Sequence, residues 1–315
     1  MGSISQFIFV IGYALMRKID IAKQLLTQHP DLFQCPLCKG PLQPNATYSL
    51  VCPNRHTFDL SKNGSVHLLA HAAKPSKYSE PMFEARQALC KSGFFDELIA
   101  HVAEIGRHHL RTSATEEMRV LDAGCGEGFH LAKLADLWGG RQHRHLLGVG
   151  IDIAKAGIRI AAREYPGLLW CVADLSRAPF RDNRFHLILN IFSPTNYAEM
   201  TRLLDDNGLL VKVVPGADYL IELRQRLYDR KDKQVYSNAR IIERFREQCR
   251  MTACHQVRYA KTLSDRDMKH LLAMTPLLWD VPARVAEALL ASNLRTVTVD
   301  AVILAGEKLR SPQSS

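Results

Sequence analysis

The run Val120-Leu121-Asp122-Ala123-Gly124-Cys125-Gly126-Glu127-Gly128 constrains this chain more than any other stretch of it. Residues 119–123 are short and apolar, as a buried strand requires, and the pattern from 128 to 138 is helical. The glycines between them lack a Cβ, so the chain can reverse sharply while its backbone amides approach a ligand. Dinucleotide loops use the same geometry to receive pyrophosphate at a helix N-terminus. Here Asp122 and Glu127 flank the turn. Carboxylates repel phosphate and favour a cation, so the string implies S-adenosylmethionine, with its ammonium and sulfonium, over a nicotinamide dinucleotide.

The chain around this loop alternates strand and helix. Residues 146–151, 168–172, 185–191 and 209–214 read as buried strands, with helices at 154–165 and 197–204 and one long helix over 84–106. Residues 255–259 and 296–304 alternate apolar and polar side chains and read as a closing antiparallel pair. The pattern implies an α/β fold: a Rossmann-like class I S-adenosylmethionine-dependent methyltransferase domain over residues 81–310, built on a mostly parallel sheet of seven strands.

On such sheets the ligand lies beyond the carboxyl ends of the strands. The second strand ends in Asp152, placed for the ribose hydroxyls, and the third in Asp174, placed for the adenine amino group, although Asp174 alone would serve as a helix cap. With the apolar neighbours Ile153 and Leu175, and Asn190 at the end of the fourth strand, they extend the cofactor set of Asp122, Gly124, Cys125, Gly126 and Glu127. The methyl acceptor belongs near residues 190–197, where Phe192 and Tyr197 can stack on a base and Ser193, Asn196 and Glu199 can bond its edge. Phe192 reads equally as core, and Asn196 as a helix cap.

Three of the eight cysteines crowd into the first sixth of the chain. Cys35 and Cys38 are followed by Cys52 and then His56, with Pro36 and Pro53 stiffening the turns. Three thiolates and an imidazole make a closed tetrahedral zinc site, structural because no position is left for water. This pattern favours metal binding in a reducing cytosol over disulfides. The zinc-binding module and linker span residues 34–80, and Lys39, Arg55, Lys62, His67 and His71 would stand on that platform near the acceptor. Ahead of it, residues 1–33 read as an extension, disordered or helical. Its apolar start at 4–15 is too short for a bilayer and lacks signal-peptide flanks, so no membrane is implied.

The formal net charge is +9. Between residues 217 and 261 there are eleven Lys or Arg against six Asp or Glu. A basic helical insertion at about 217–253 would display Arg224, Arg226, Arg230, Lys231, Arg244, Arg246 and Arg250, a face suited to a polyanion such as RNA.

The cysteine motif running through Arg55-His56-x-Phe58-Asp59, the stretch ending at Val66-His67-Leu68-Leu69, and the glycine loop together resemble the RlmA family of 23S rRNA (guanine-N1)-methyltransferases over about residues 33–306. Phe192-Ser193-Pro194-x-Asn196-Tyr197 and Met274-Thr275-Pro276-Leu277-Leu278 are similar to its Gram-positive branch linked to tylosin resistance. The resemblance implies zinc on Cys35, Cys38, Cys52 and His56. It implies cofactor contacts from Gly126, Glu127, Phe95 and Tyr219, and methylation of one guanine in a domain II hairpin of 23S rRNA near the macrolide site. Cytoplasmic location is implied, and a homodimer is compatible. The N1 proton needs a base, for which Glu199, Asn196 and Asp174 are the candidates. A small-molecule methyltransferase and a zinc-dependent nucleic-acid-binding regulator with a non-catalytic fold are the rival readings.

Overall fold

The computed structural model describes residues 16–70, 78–110, 117–139, 145–227, 237–279 and 281–309. The apolar run 4–15, His71, the middle of the basic loop before the second sheet strand, and Arg230 and Lys231 lie outside the described residues.

The extension is partly helical. α1 (Lys18–Gln28) buries Ile21, Ala22 and Leu26. Strands β1 (Gln43–Pro44), β2 (Ser49–Val51) and β3 (Thr57–Asp59) then form a three-stranded antiparallel ribbon in the segment that carries the cysteine motif. A further short strand, β4 (Val66–His67), leaves the ribbon and joins the main sheet. The expected long helix is two, α2 (Glu80–Lys91) and α3 (Asp96–Leu110). The break falls at Gly93, whose φ of +82° suits a residue without a Cβ. The Ser79 hydroxyl caps α2 by accepting from the Met82 N–H.

Strand and helix then alternate: β5 (Glu117–Ala123), α4 (Phe129–Gly139), β6 (His145–Asp152), α5 (Lys155–Glu164), β7 (Leu169–Val172), β8 (Phe185–Ile191), α6 (Tyr197–Leu203) and β9 (Leu204–Pro215). After β9 come α7 (Ile221–Leu227), α8 (Ala239–Gln248), β10 (Cys249–Thr262), α9 (Asp265–Met274), a 3-10 turn at Pro276–Leu278, α10 (Ala283–Ala291) and β11 (Thr296–Lys308). The eight-stranded sheet has the order β10-β11-β9-β8-β5-β6-β7-β4. Pairing is parallel from β9 through β4, and β11 lies antiparallel between β9 and β10.

Two corrections follow from packing. The sheet has an eighth strand because β4 pairs with β7, covering an edge that would otherwise present unpaired amides. The basic insertion stops being helical at Cys249, where β10 begins, and its Arg224 is buried, bonded to the Ala217 carbonyl, rather than displayed.

Strands β5, β7, β8 and β9 each feed two cores. Val120, Leu187 and Val211 pack with Phe94, Leu98, Leu131 and Ile158 on one face. Leu121, Ile151, Leu169 and Cys171 pack on the other with Leu26, Leu32, Phe33, Leu42, Leu50 and Leu60. The ribbon therefore shares the sheet's own core. Phe33 and Phe180 meet at 5.0 Å between ring centres, and the Gln34 N–H donates to the Pro179 carbonyl at 3.0 Å.

Leu26→Ala should cost about 2–5 kcal/mol, the range for a well-packed leucine. Denaturant unfolding measures this, and a loss below about 0.5 kcal/mol would show that α1 is an appendage.

Candidate active site

The strand β5 delivers the chain into the glycine loop, where Gly124, Gly126 and Gly128 take φ values of +87°, +56° and +82°. At Gly124 the need is steric as well, because a Cβ there would overlap the Ser193 hydroxyl. The Gly124 and Cys125 N–H groups donate to the Ile151 carbonyl at 2.9 and 3.0 Å. Asp152 completes the stitch: Oδ2 accepts from Gly126 N at 2.9 Å and Oδ1 from Ala154 N at 2.8 Å. Leu175 Cδ1 lies 3.6 Å from where a Gly124 Cβ would stand, and Ile153 is 44% exposed beside Asp152. The residues assigned to the cofactor from three separate strand ends thus converge on one loop.

Beneath the loop is a set of buried charges. Glu127, 1% exposed, pairs with Arg86 from α2 at 3.0 Å. Asp122 is buried, and its Oδ2 has no hydrogen-bond partner among the described residues. Burial pushes the Asp122 carboxyl up to about 7; Arg86 opposes this, while Glu127 and Asp152 add to it. Burial also raises the Glu127 and Asp152 carboxyls against their favourable partners. A buried acid with an unbonded oxygen beneath the glycine loop suits the ammonium end of S-adenosylmethionine and is costly without it. Arg86 carried no signal in the sequence, since nothing local ties it to a loop forty residues on.

Next to the loop opens a cavity of about 820 Å³. Phe95, Phe192 and Tyr219 form one wall, with ring centres 5.8 and 5.5 Å apart along the series. Met274, Pro276 and Leu277 form another, and Arg240 and Arg244 of α8 stand at it with exposed side chains. Phe192 holds a left-handed φ of +52°, which costs a non-glycine residue energy and aims the turn after β8.

The catalytic candidates lie elsewhere. Glu199 accepts from Ala178 N at 2.7 Å and is held by Arg202 at 2.6 and 3.0 Å, so both its oxygens are engaged. Asn196 caps α6 through the Glu199 N–H. Asp174 Oδ1 accepts from Ser176 N at 2.8 Å in a turn. None of the three lines the cavity. Asn190 is buried with every polar atom used: Nδ2 donates to the Ala123 and Pro194 carbonyls at 3.0 Å each, and Oδ1 accepts from Thr195 and Lys212. The one sequence signal of Lys212 is a lysine amid the apolar run of β9.

The zinc ligands meet as their spacing implies. His56 Nδ1 is 3.4 Å from the sulfurs of Cys35 and Cys52, Cys38 and Cys52 are 3.6 Å apart, and all four atoms lie within 4.8 Å of one another. Tetrahedral Zn–S bonds of about 2.3 Å require sulfurs about 3.8 Å apart. The Gly40 N–H holds the Cys38 thiol down at about 6, so the thiolate form is within reach. Four protein ligands leave no catalytic position. Lys39, Arg55, Lys62 and His67 do not line the cavity, so the ribbon's charges act outside it.

Sheet order, glycine loop and metal cluster define an S-adenosylmethionine-dependent methyltransferase carrying a structural zinc ribbon. Residues 33–77 match the domain described as "RlmA, N-terminal", and residues 120–208 a methyltransferase domain. The chain is 43% identical over 280 residues to a Bacillus subtilis (strain 168) protein, YxjB, named for 23S rRNA (guanine-N1) methylation, covering 88% of this chain and 97% of that one. It is 30% identical over 260 residues to the 23S rRNA (guanine(748)-N(1))-methyltransferase of Streptomyces fradiae, covering 81% and 90%. The chain belongs to the RlmA family of 23S rRNA (guanine-N1)-methyltransferases. Among the described residues no helix is long and apolar enough to cross a membrane.

Two outcomes follow. Asp122 ionises at about 7 in the fold but near 3.9 unfolded, so it costs nothing at low pH and destabilises increasingly as pH rises through about 7. Without ligand, Asp122→Asn should therefore gain stability over wild type between pH 5 and 8, at about 1.4 kcal/mol per unit of the shift. Urea unfolding across that range checks it, and a pH-independent difference would refute it. Zinc removal by a chelator should lower the thermal midpoint with release of one equivalent of metal, read by a colorimetric zinc indicator.

Proposed function

We propose that the enzyme methylates N1 of one guanine in 23S rRNA, in the domain II hairpin near the macrolide site. The 748-type position of the Streptomyces fradiae relative is favoured over its neighbour, with a contribution to tylosin resistance in the cytoplasm. The observation that carries this reading is the cavity beside the glycine loop: large enough for a base, walled by aromatic rings and bordered by arginines of α8.

Gly124 to Glu127 and Asp122 would hold the methionine end of S-adenosylmethionine, with Phe95 and Tyr219 alongside. Asp152 keeps lone pairs for the ribose, and Ile153, Asp174 and Leu175 would flank the adenine. When bound, the cofactor supplies a methyl group on a sulfonium, an excellent leaving group. The protein's share is alignment, and the Phe192–Thr195 turn and the glycine loop sit close enough to fix both partners in one frame. A paired guanine hides N1, so the base must be flipped or already unpaired. Stacking on Phe192 or Tyr219 is worth about 1–3 kcal/mol. Arg240 and Arg244 are placed to neutralise backbone phosphates, which position RNA without reading its sequence.

Purified enzyme should transfer labelled methyl to 23S rRNA lacking the modification and create one primer-extension stop in the domain II hairpin. Transfer only to other RNA or to small molecules would remove this reading. Asp152→Ala should abolish calorimetric binding of S-adenosylmethionine, and unchanged affinity would sink the ribose assignment. Arg240→Ala and Arg244→Ala should each lower the salt slope of RNA affinity by about one.

A further inference from the structure

Guanine N1 carries a proton that must leave as the methyl group arrives, yet the described residues lining the cavity include no Asp, Glu or His. They do include Lys212 and Thr195. Lys212 interrupts the apolar strand β9, is 6% exposed, and is paired in register with the uncharged Asn190 and Leu304. Its Nζ donates to Asn190 Oδ1 at 2.8 Å, to the Ser193 carbonyl at 3.2 Å and to the Thr195 hydroxyl. Thr195 in turn donates to Asn190 Oδ1 at 2.6 Å. The other titratable groups around this cavity are Arg86 from α2, Arg224 from α7, Arg240 and Arg244 from α8, and the phenols of Tyr78, Tyr197 and Tyr219. Arginines hold their protons, and burial pushes the Tyr197 and Tyr219 phenols up, away from neutrality. With no carboxylate among them, burial brings the Lys212 amine down to about 8.

We propose that Lys212 receives the N1 proton of the acceptor guanine, with the Thr195 hydroxyl as the relay. In the neutral amine two N–H bonds still reach Asn190 and Ser193, and the lone pair accepts the Thr195 hydroxyl. The guanine N1–H bond breaks toward Thr195 Oγ1 while the proton of Thr195 passes to Lys212. The nitrogen keeps the electron pair with which it takes the methyl group. The positive charge lost at the sulfonium reappears on the lysine ammonium, so atoms and charge balance. Thr195, reprotonated, then donates to Asn190, which is the arrangement of hydrogen bonds observed. The Ser193 and Asn190 bonds also tie Lys212 to the turn, so a structural role alone is the competing account.

The inference rests on the guanine N1 reading, and the two can fail separately. Single-turnover methyl transfer by wild type should rise with pH to a plateau above about 8. Lys212→Arg keeps a cation and donors but cannot take a proton at neutral pH. It should slow transfer roughly 100-fold or more and lose the plateau, while affinities for S-adenosylmethionine and RNA, measured by calorimetry, stay within about three-fold. Thr195→Val should reproduce the slowing and Thr195→Ser restore it, which keeps the test alive if the lysine variant unfolds. Nuclear magnetic resonance of lysine carbon-13 in the unliganded protein should show one lysine titrating near 8, absent in Lys212→Arg. A Lys212→Arg enzyme with wild-type rate and pH profile would overturn the proposal. So would a Thr195→Val enzyme at full speed. A wild type that leaves guanine N1 unmethylated in every RNA would overturn it together with the function.

Discussion

The backbone of Gly124 lies so close to the hydroxyl of Ser193 that no side chain fits between them. That approach joins the end of β5, which carries the glycine loop, to the turn after β8, which lines the cavity. Asn190 reinforces it by donating to the Ala123 carbonyl on one side and the Pro194 carbonyl on the other. The glycine loop and the turn after β8 are thereby tied together through Ser193 and Asn190. For in-line transfer to a good leaving group, alignment is most of what a protein can contribute.

The zinc ribbon answers a different need. A parallel sheet must be covered on both faces, normally by crossover helices. Here the Leu26, Leu32, Phe33, Leu42 and Leu50 side chains of α1 and the ribbon fill part of that role against β6 and β7, while β4 closes the sheet's edge. Metal fixes the turns that present those apolar side chains, so zinc and sheet stabilise one another across a shared core.

Charge is divided by position. Acids gather beneath the glycine loop, where Arg86 pairs with Glu127 and Asp122 keeps an unbonded oxygen, and arginines stand at the cavity, where RNA phosphates would approach. Lys212 lines the same cavity, bonded to the neutral Asn190, Ser193 and Thr195, with no counter-ion among the described residues. The chain's net charge of +9 therefore says less than where each charge is placed.

The local patterns were legible in the sequence. Glycines around acids after a strand named the loop and its ligand class, and cysteine spacing named the metal ligands, because each motif is dictated by short-range backbone geometry and ligand chemistry. The strands showed through their apolar runs for the same reason. What the sequence could not convey is which distant residues meet. Glu199 looked free and is engaged by Arg202. Arg86 looked ordinary and neutralises Glu127. Arg224 looked solvated and is buried. Thr195 and Lys212 meet only because β8 and β9 lie side by side. Burial and long-range pairing set those outcomes, and both are properties of the assembled sheet rather than of any segment of chain.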